Sequence, residues 1–255
     1  MGDIWILPKH QRVPSPNYNE GRRGMVPDVL VLHYAVDGDD FERDEDEDAS
    51  FSAITPSTDA YDVARLFAKE SRRASAHFVE GRDGSLAQLV ALDDTAWHAG
   101  GGALPKSGTG PIEKPVAGLM NRRSVGIEVC NAGWAADRIG VPEKYIAEAV
   151  HPANARRGKV QRWEVYRDVQ YAVLDELAAL IRPHFVVDRP VFVVGHEDVV
   201  NRDTLSASAG RQVNGGKVDP GPLFEWRRIP WRRYGYQPLR YDFRAKAWAE
   251  REETR

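Results

Sequence analysis

One cysteine, Cys130, stands alone among 255 residues. A single thiol excludes a disulfide framework and every zinc module built on two or four cysteines, which leaves histidine and carboxylate as the only metal ligands in supply. Long apolar runs are missing as well: nothing approaches the roughly 18 consecutive apolar residues of a membrane-spanning helix, so no membrane partner is expected. The N-terminal Ile4-Trp5-Ile6-Leu7 breaks at Pro8 and has no basic leader. It does not read as a signal peptide, and the expectation is synthesis in the cytoplasm, with any export by another route. Excess charge is also absent. Lys and Arg total 35 against 38 Asp and Glu, a net charge of -3, so bulk attraction gives no reason to expect a nucleic-acid partner. What is present is a 42% hydrophobic fraction, enough to fill a core and to exclude global disorder.

Charge is unevenly spread. Asp37 to Asp48 holds nine carboxylates and one Arg, and the rest of the chain carries 34 basic against 29 acidic residues. The acidic run fails as a calcium loop. Counted from Asp44, Ala49 stands where Gly is required and Thr55 where the bidentate Glu should be. A solvated insertion over 37–50 is the simpler reading.

Val29-Leu30-Val31-Leu32 reads as a buried strand ending at His33, and Val191-Phe192-Val193-Val194-Gly195 as another that delivers His196. Tyr61 to Arg73 and Trp163 to Ile181 carry apolar residues at helical spacing, the second stopped by Pro183. Ala76 to Val79, the turn Arg82-Asp83-Gly84 and Leu86 to Leu92 predict a β-hairpin. Ser124 to Cys130 predicts a further strand, and Gly100 to Asn121 a long Gly- and Pro-rich loop. The order strand, helix, hairpin, strand, long helix, strand predicts a single α/β domain, with a central mixed β-sheet flanked by helices and a C-terminal extension.

Two histidines that follow apolar strands are candidates to meet over one metal, because active sites in open α/β sheets gather beyond the carboxyl ends of strands. Asp219 lies in a Gly- and Pro-rich segment from Gly215 to Pro222 whose only other charged side chain is Lys217. It is a candidate third ligand, giving two histidines, one carboxylate and an open fourth position. An ordinary turn accounts for Asp before Pro equally well. Other motifs fail. His196-Glu197 would open a helical zinc-protease motif, but position 200 is Val. Gly210 to Lys217 lacks the Gly-Lys-Ser/Thr of a P-loop.

Six segments fall in order along the chain: VLVLHYAV at 29–36, SAHFVEGRDGSLAQLV at 75–90, AWHAG at 96–100, NRRSVGIEVCNAG at 121–133, VVGHEDV at 193–199 and KVDPGPLFEW at 217–226. Together they resemble the zinc-dependent N-acetylmuramoyl-L-alanine amidases of the type 2 amidase family. That fold is shared by bacterial recycling amidases, phage lysozyme-type amidases and peptidoglycan-recognition proteins. The resemblance implies Zn2+ held by His33, His196 and Asp219, with Glu128 as general base and Lys217 as the cation that meets the oxyanion. It assigns His77, Trp97 and His98 to the substrate side of the groove or to support behind it. The implied partner is peptidoglycan or a muropeptide, acted on by a monomer.

On that reading 1–26 is a lead-in, 27–230 the catalytic domain with a lid over 198–216, and 231–255 a basic aromatic extension without a family counterpart. The insertions and the tail tilt the expectation toward lysis of intact wall, as by an endolysin, over recycling of fragments. Relatives that only bind peptidoglycan lack a complete ligand set, so a non-catalytic recognition module is the main alternative. Arg interleaved with aromatics in the tail also fits a single-stranded nucleic-acid platform, but a packed extension is the expectation.

Overall fold

The computed structural model describes residues 3–35, 59–100, 118–136, 140–150, 160–199, 218–242 and 247–251. The strands are β1 (Tyr18–Asn19), β2 (Val29–Ala35), β3 (Phe78–Glu80), β4 (Leu86–Gln88), β5 (Thr95–Ala96), β6 (Ser124–Cys130), β7 (Ile146–Ala149), β8 (Gln161–Glu164), β9 (Val191–Gly195), β10 (Tyr236–Asp242) and β11 (Ala247–Glu250). The helices are α1 (Ala60–Phe67), α2 (Leu119–Arg123) and α3 (Asp168–Ile181).

Seven strands form the central sheet in the order β11-β10-β9-β2-β6-β3-β4. From β10 to β3 neighbouring strands run parallel, and each edge strand, β11 or β4, is antiparallel to its neighbour. This is the mixed sheet expected from the sequence. β2 and β6 are near-continuous apolar runs because both faces of a parallel sheet are covered. Leu30, Leu32, Val125, Ile127, Val129 and Val193 share one cluster with Tyr171, Leu174, Leu177 and Ile181 of α3. The alternate residues Val29, Val31, Phe192 and Val194 pack with Leu239, Tyr241 and Trp248. Farther along the same face Val79 and Cys130 meet Ala60, Val63, Ala64 and Phe67 of α1.

Several boundaries differ from the sequence reading. The helix expected from Trp163 starts at Asp168, and Gln161–Glu164 pairs with β7 instead. Trp163 and Tyr166 fit the helical period yet are buried from a strand and its exit. The Gln170 side chain caps the true start by accepting the Arg167 backbone N–H at 3.0 Å. The Asp59 carboxylate accepts from the N–H groups of Tyr61 and Asp62 and opens α1, which stops at Phe67, before the expected Arg73. The tail, read as an extension, supplies β10 and β11. Its alternation is that of a sheet edge, with Leu239, Tyr241 and Trp248 buried and Arg240 exposed.

The predicted hairpin forms between β3 and β4. Its turn residue Arg82 is buried and makes a two-pronged pair with Glu164, Nε to Oε1 at 2.7 Å and Nη2 to Oε2 at 2.8 Å. Glu164 also accepts from the Ala132 N–H, so one carboxylate joins hairpin, β8 and the exit of β6. Among the described residues no helix is long and apolar enough to cross a membrane. The acidic insertion at 37–50, the loop residues 101–117 and lid residues 200–216 lie outside the described residues.

Two stability predictions rest on buried charge. Arg82→Ala strands the Glu164 carboxylate, and urea unfolding should show a loss of about 3–5 kcal/mol. Glu80 on β3 is fully buried with no hydrogen-bond partner for either oxygen among the described residues, and burial pushes its carboxyl well above the usual range. With its folded pKa raised, stability is full below the unfolded value of about 4.3 and falls as pH rises toward the folded one. Urea midpoints of the parent should therefore drop between pH 5 and pH 8 more than those of Glu80→Gln; parallel curves would contradict this.

Candidate metal centre

β2 lies between β6 and β9, and its fifth residue is His33. In the β2–β9 register Leu32 stands opposite Gly195, so His196, the next residue of the β9 chain, emerges beside His33 at the carboxyl ends of the strands. Glu128 of β6 is the register partner of His33, on the same face and one strand spacing away, about 4.8 Å. Backbone pairing alone therefore gathers two imidazoles and a carboxylate.

Asp219 comes from the segment after residue 217 and is held from several sides. Gly195 leaves room for it: a Cβ there would lie 2.6 Å from Pro220 Cδ and 3.1 Å from the Asp219 carbonyl. The Glu197 N–H donates to that carbonyl at 2.9 Å. The Tyr166 hydroxyl donates to the Pro220 carbonyl at 2.7 Å, and Phe224 enters the main core just beyond. The turn that carries His196 is fixed from the tail. Asp198 accepts the Tyr241 N–H at 2.9 Å, and Arg251 reaches Glu197 and Asp198 while its guanidinium lies 4.0 Å from the Trp226 ring centroid.

His33 Nδ1 lies 3.0 Å from His196 Nδ1, and Asp219 Oδ2 is 3.1 Å from each of them. All three residues are buried. Burial by itself would raise the Asp219 carboxyl, but the neighbouring His196 and His33 rings outweigh it and hold the group far below the usual carboxylate range. With the carboxyl ionised, no placement of protons on the two Nδ1 atoms satisfies all three contacts: two N–H groups would oppose each other, and a bare nitrogen would oppose the carboxylate. A divalent cation satisfies all of them, and two imidazole nitrogens with one carboxylate oxygen is the ligand chemistry of hydrolytic zinc.

His98 Nδ1 lies 3.0 Å from His33 Nε2, and burial followed by the nearby His33 lowers its pKa well below the usual value. His77 has no exposed surface; its Nδ1 accepts the Gly126 N–H at 3.0 Å, and burial and then Arg22 keep its ring neutral. It stands behind His98, their ring centroids 5.8 Å apart, and supports the site from inside the sheet. Trp97 is half-buried and donates through Nε1 to Asn19 Oδ1 at 2.8 Å, so it is tied to β1. Lys217 lies outside the described residues. Tyr166, Gly195 and Arg251 are not legible as site residues in the sequence, because each acts on a ligand's backbone or turn and carries no ligating pattern of its own.

The sequence pattern of the N-acetylmuramoyl-L-alanine amidase family matches residues 23–222. A relative from Haemophilus influenzae, the 1,6-anhydro-N-acetylmuramyl-L-alanine amidase AmpD, is 24% identical over 227 residues, 88% of this chain and 91% of its own length. AmpD of Salmonella typhimurium is 33% identical over 97 residues, where the match spans 38% of this chain and 49% of the relative. The crystal structure of a selenomethionine AmpD derivative aligns with a TM-score of 0.46 at 23% identity, over 92% of this chain and 99% of that one.

Gly195→Ala should push Pro220 and with it Asp219 away from the two imidazoles. Zinc affinity, read by chelator competition, is expected to fall about 10–100-fold, as for other changes that misplace a ligand. An unchanged dissociation constant would show that the close approach at Gly195 does not position Asp219.

Proposed function

The chain belongs to the type 2 N-acetylmuramoyl-L-alanine amidase family, and from that premise we propose that it is a zinc enzyme, with the ion held by His33, His196 and Asp219. The bond cut is the amide between the lactyl group of N-acetylmuramic acid and L-alanine, in peptidoglycan or its muropeptide fragments. The observation that carries the zinc reading is the convergence of two Nδ1 atoms and one Oδ2 within 3.0–3.1 Å.

Zinc in a three-ligand site supplies Lewis acidity, acidifying water toward a pKa of about 7 and polarising the scissile carbonyl. The chain supplies the proton traffic. Glu128 takes the proton of the attacking water and returns it to the departing nitrogen, so the products are the free lactyl carboxylate and a stem peptide with an L-alanine amine. Its register opposite His33 and its burial support that role. Lys217, two residues before Asp219, donates to the oxyanion as it forms, a contribution of about 10²–10³ in rate. Trp97 borders the substrate, and His77 and His98 support the site from behind. The full ligand set together with Glu128 favours this over a module that only binds.

By their names the AmpD relatives act on the 1,6-anhydro form of the sugar. Small anhydromuropeptides are therefore the first substrates to try, and the lean toward an endolysin finds no support in these relatives. Comparing turnover of such fragments with release of stem peptide from intact sacculi decides the preference.

Glu128→Gln should retain one zinc per chain while kcat falls about 10²–10⁴-fold, and Asp219→Ala should lose the metal. Chelation should abolish activity and added zinc restore it. Parent-like hydrolysis by Glu128→Gln would remove the assigned base.

A further inference from the structure

Ser124, the first residue of β6, places its Oγ 2.6 Å from the Met120 carbonyl. A carbonyl can only accept, so the one hydroxyl proton is committed there. The same Oγ lies 3.0 Å from His98 Nε2 and, with its proton spent, can only accept from it. His98 Nε2 therefore carries the hydrogen. Among the described residues the other ring contacts of His98 are His33 and His77, and no carboxylate is present to hold an imidazolium. A neutral imidazole has one N–H, so His98 Nδ1 is a bare acceptor. Its partner at 3.0 Å is His33 Nε2, which must then carry the proton. In a neutral His33 ring that leaves Nδ1 as the lone-pair atom, and it is this atom that faces His196 and Asp219.

We propose that His98, oriented by Ser124, is a positioning residue that locks His33 in its Nε2–H tautomer and so prepares His33 Nδ1 to bind the metal.

The surroundings of His98 are built for a fixed ring. Gly126 lies beneath it, where a Cβ would come within 2.6 Å of His98 Cγ and Nδ1. The Asn121 side chain accepts from the N–H groups of Ala99 and Gly100 at 2.7 and 2.8 Å, and Trp97 exchanges two hydrogen bonds with Ser75, both 3.0 Å long. The backbone on both sides of His98 is thereby held. A metal-ligating imidazole whose distal N–H has a fixed acceptor is oriented before the ion arrives, and losing that acceptor costs about 10–100-fold in affinity.

The consequence for the metal rests on the zinc reading above; the tautomer itself does not. The test has two arms. Long-range 1H–15N correlation spectra of the metal-free protein, recorded at a pH where His33 is neutral, report which ring nitrogen carries hydrogen, and His33 should show Nε2–H with Nδ1 bare. Zinc dissociation constants by chelator competition are then compared for the parent, His98→Leu, His98→Asn and Ser124→Ala. His98→Leu should bind zinc about 10–100-fold more weakly. His98→Asn, whose amide oxygen can stand where Nδ1 accepts, should stay close to the parent. Ser124→Ala should weaken zinc binding less than His98→Leu and give His33 a mixture of tautomers; it serves alone if the leucine variant does not fold. A neutral His33 that carries its hydrogen on Nδ1, or parent-like zinc binding by His98→Leu and Ser124→Ala, would overturn the proposal. A parent that binds no zinc but shows the expected tautomer would overturn the zinc reading and leave the lock standing.

Discussion

Holding His33 Nδ1, His196 Nδ1 and Asp219 Oδ2 within 3.0–3.1 Å of one another is unfavourable for a protein on its own, because no placement of protons avoids repulsion in all three contacts and buried polar atoms need partners. Much of the described structure opposes that repulsion. Parallel pairing brings β9, β2 and β6 side by side, so two imidazoles and Glu128 leave the backbone at adjacent positions. The third ligand has no strand to carry it and is anchored through Gly195, Glu197 and Tyr166. A cation at this point would satisfy all three atoms, and its binding free energy would add to the stability of the fold.

The two faces of the sheet divide the work. One is sealed by α3 and carries the largest apolar cluster, including Trp231 and Tyr236 from the tail. The other carries two smaller clusters and, at the carboxyl ends of the strands, the polar centre. Between them, buried polar links tie distant segments together: Arg82 with Glu164, and Arg251 with Glu197 and Asp198. Such links are weak evidence for net stability but strong determinants of geometry, since breaking one leaves a charge uncompensated. The tail belongs to this system, because Tyr241 and Arg251 hold the turn in which His196 sits.

The strands and their two histidines are legible in the sequence because a short apolar run rich in β-branched residues and ending in a polar one suits a buried strand and little else. The hairpin is legible from its Asp-Gly turn. Asp219 is visible only as a lone carboxylate among glycines and prolines, and its partners lie more than twenty residues away. Glu128 needs the family resemblance, since a glutamate in an apolar strand does not announce its neighbour. The start of α3 is obscured because Trp163 and Tyr166 continue the helical period by chance while packing from a strand and a turn. The tail strands are hidden for a related reason: aromatics alternating with arginines suit a solvent-facing edge as well as a stacking platform. The order His33, His98, Ser124 cannot be read from the sequence at all, because hydrogen-bond direction depends on atoms that the fold alone brings together.

The most direct measurement is anomalous diffraction at the zinc edge from crystals of the protein grown with zinc. One strong peak bonded to His33 Nδ1, His196 Nδ1 and a carboxylate oxygen of Asp219 is the predicted result. No peak there, or a bond to His33 through Nε2, would contradict the central claim that these strands and braces present three prepared ligand atoms to a single ion.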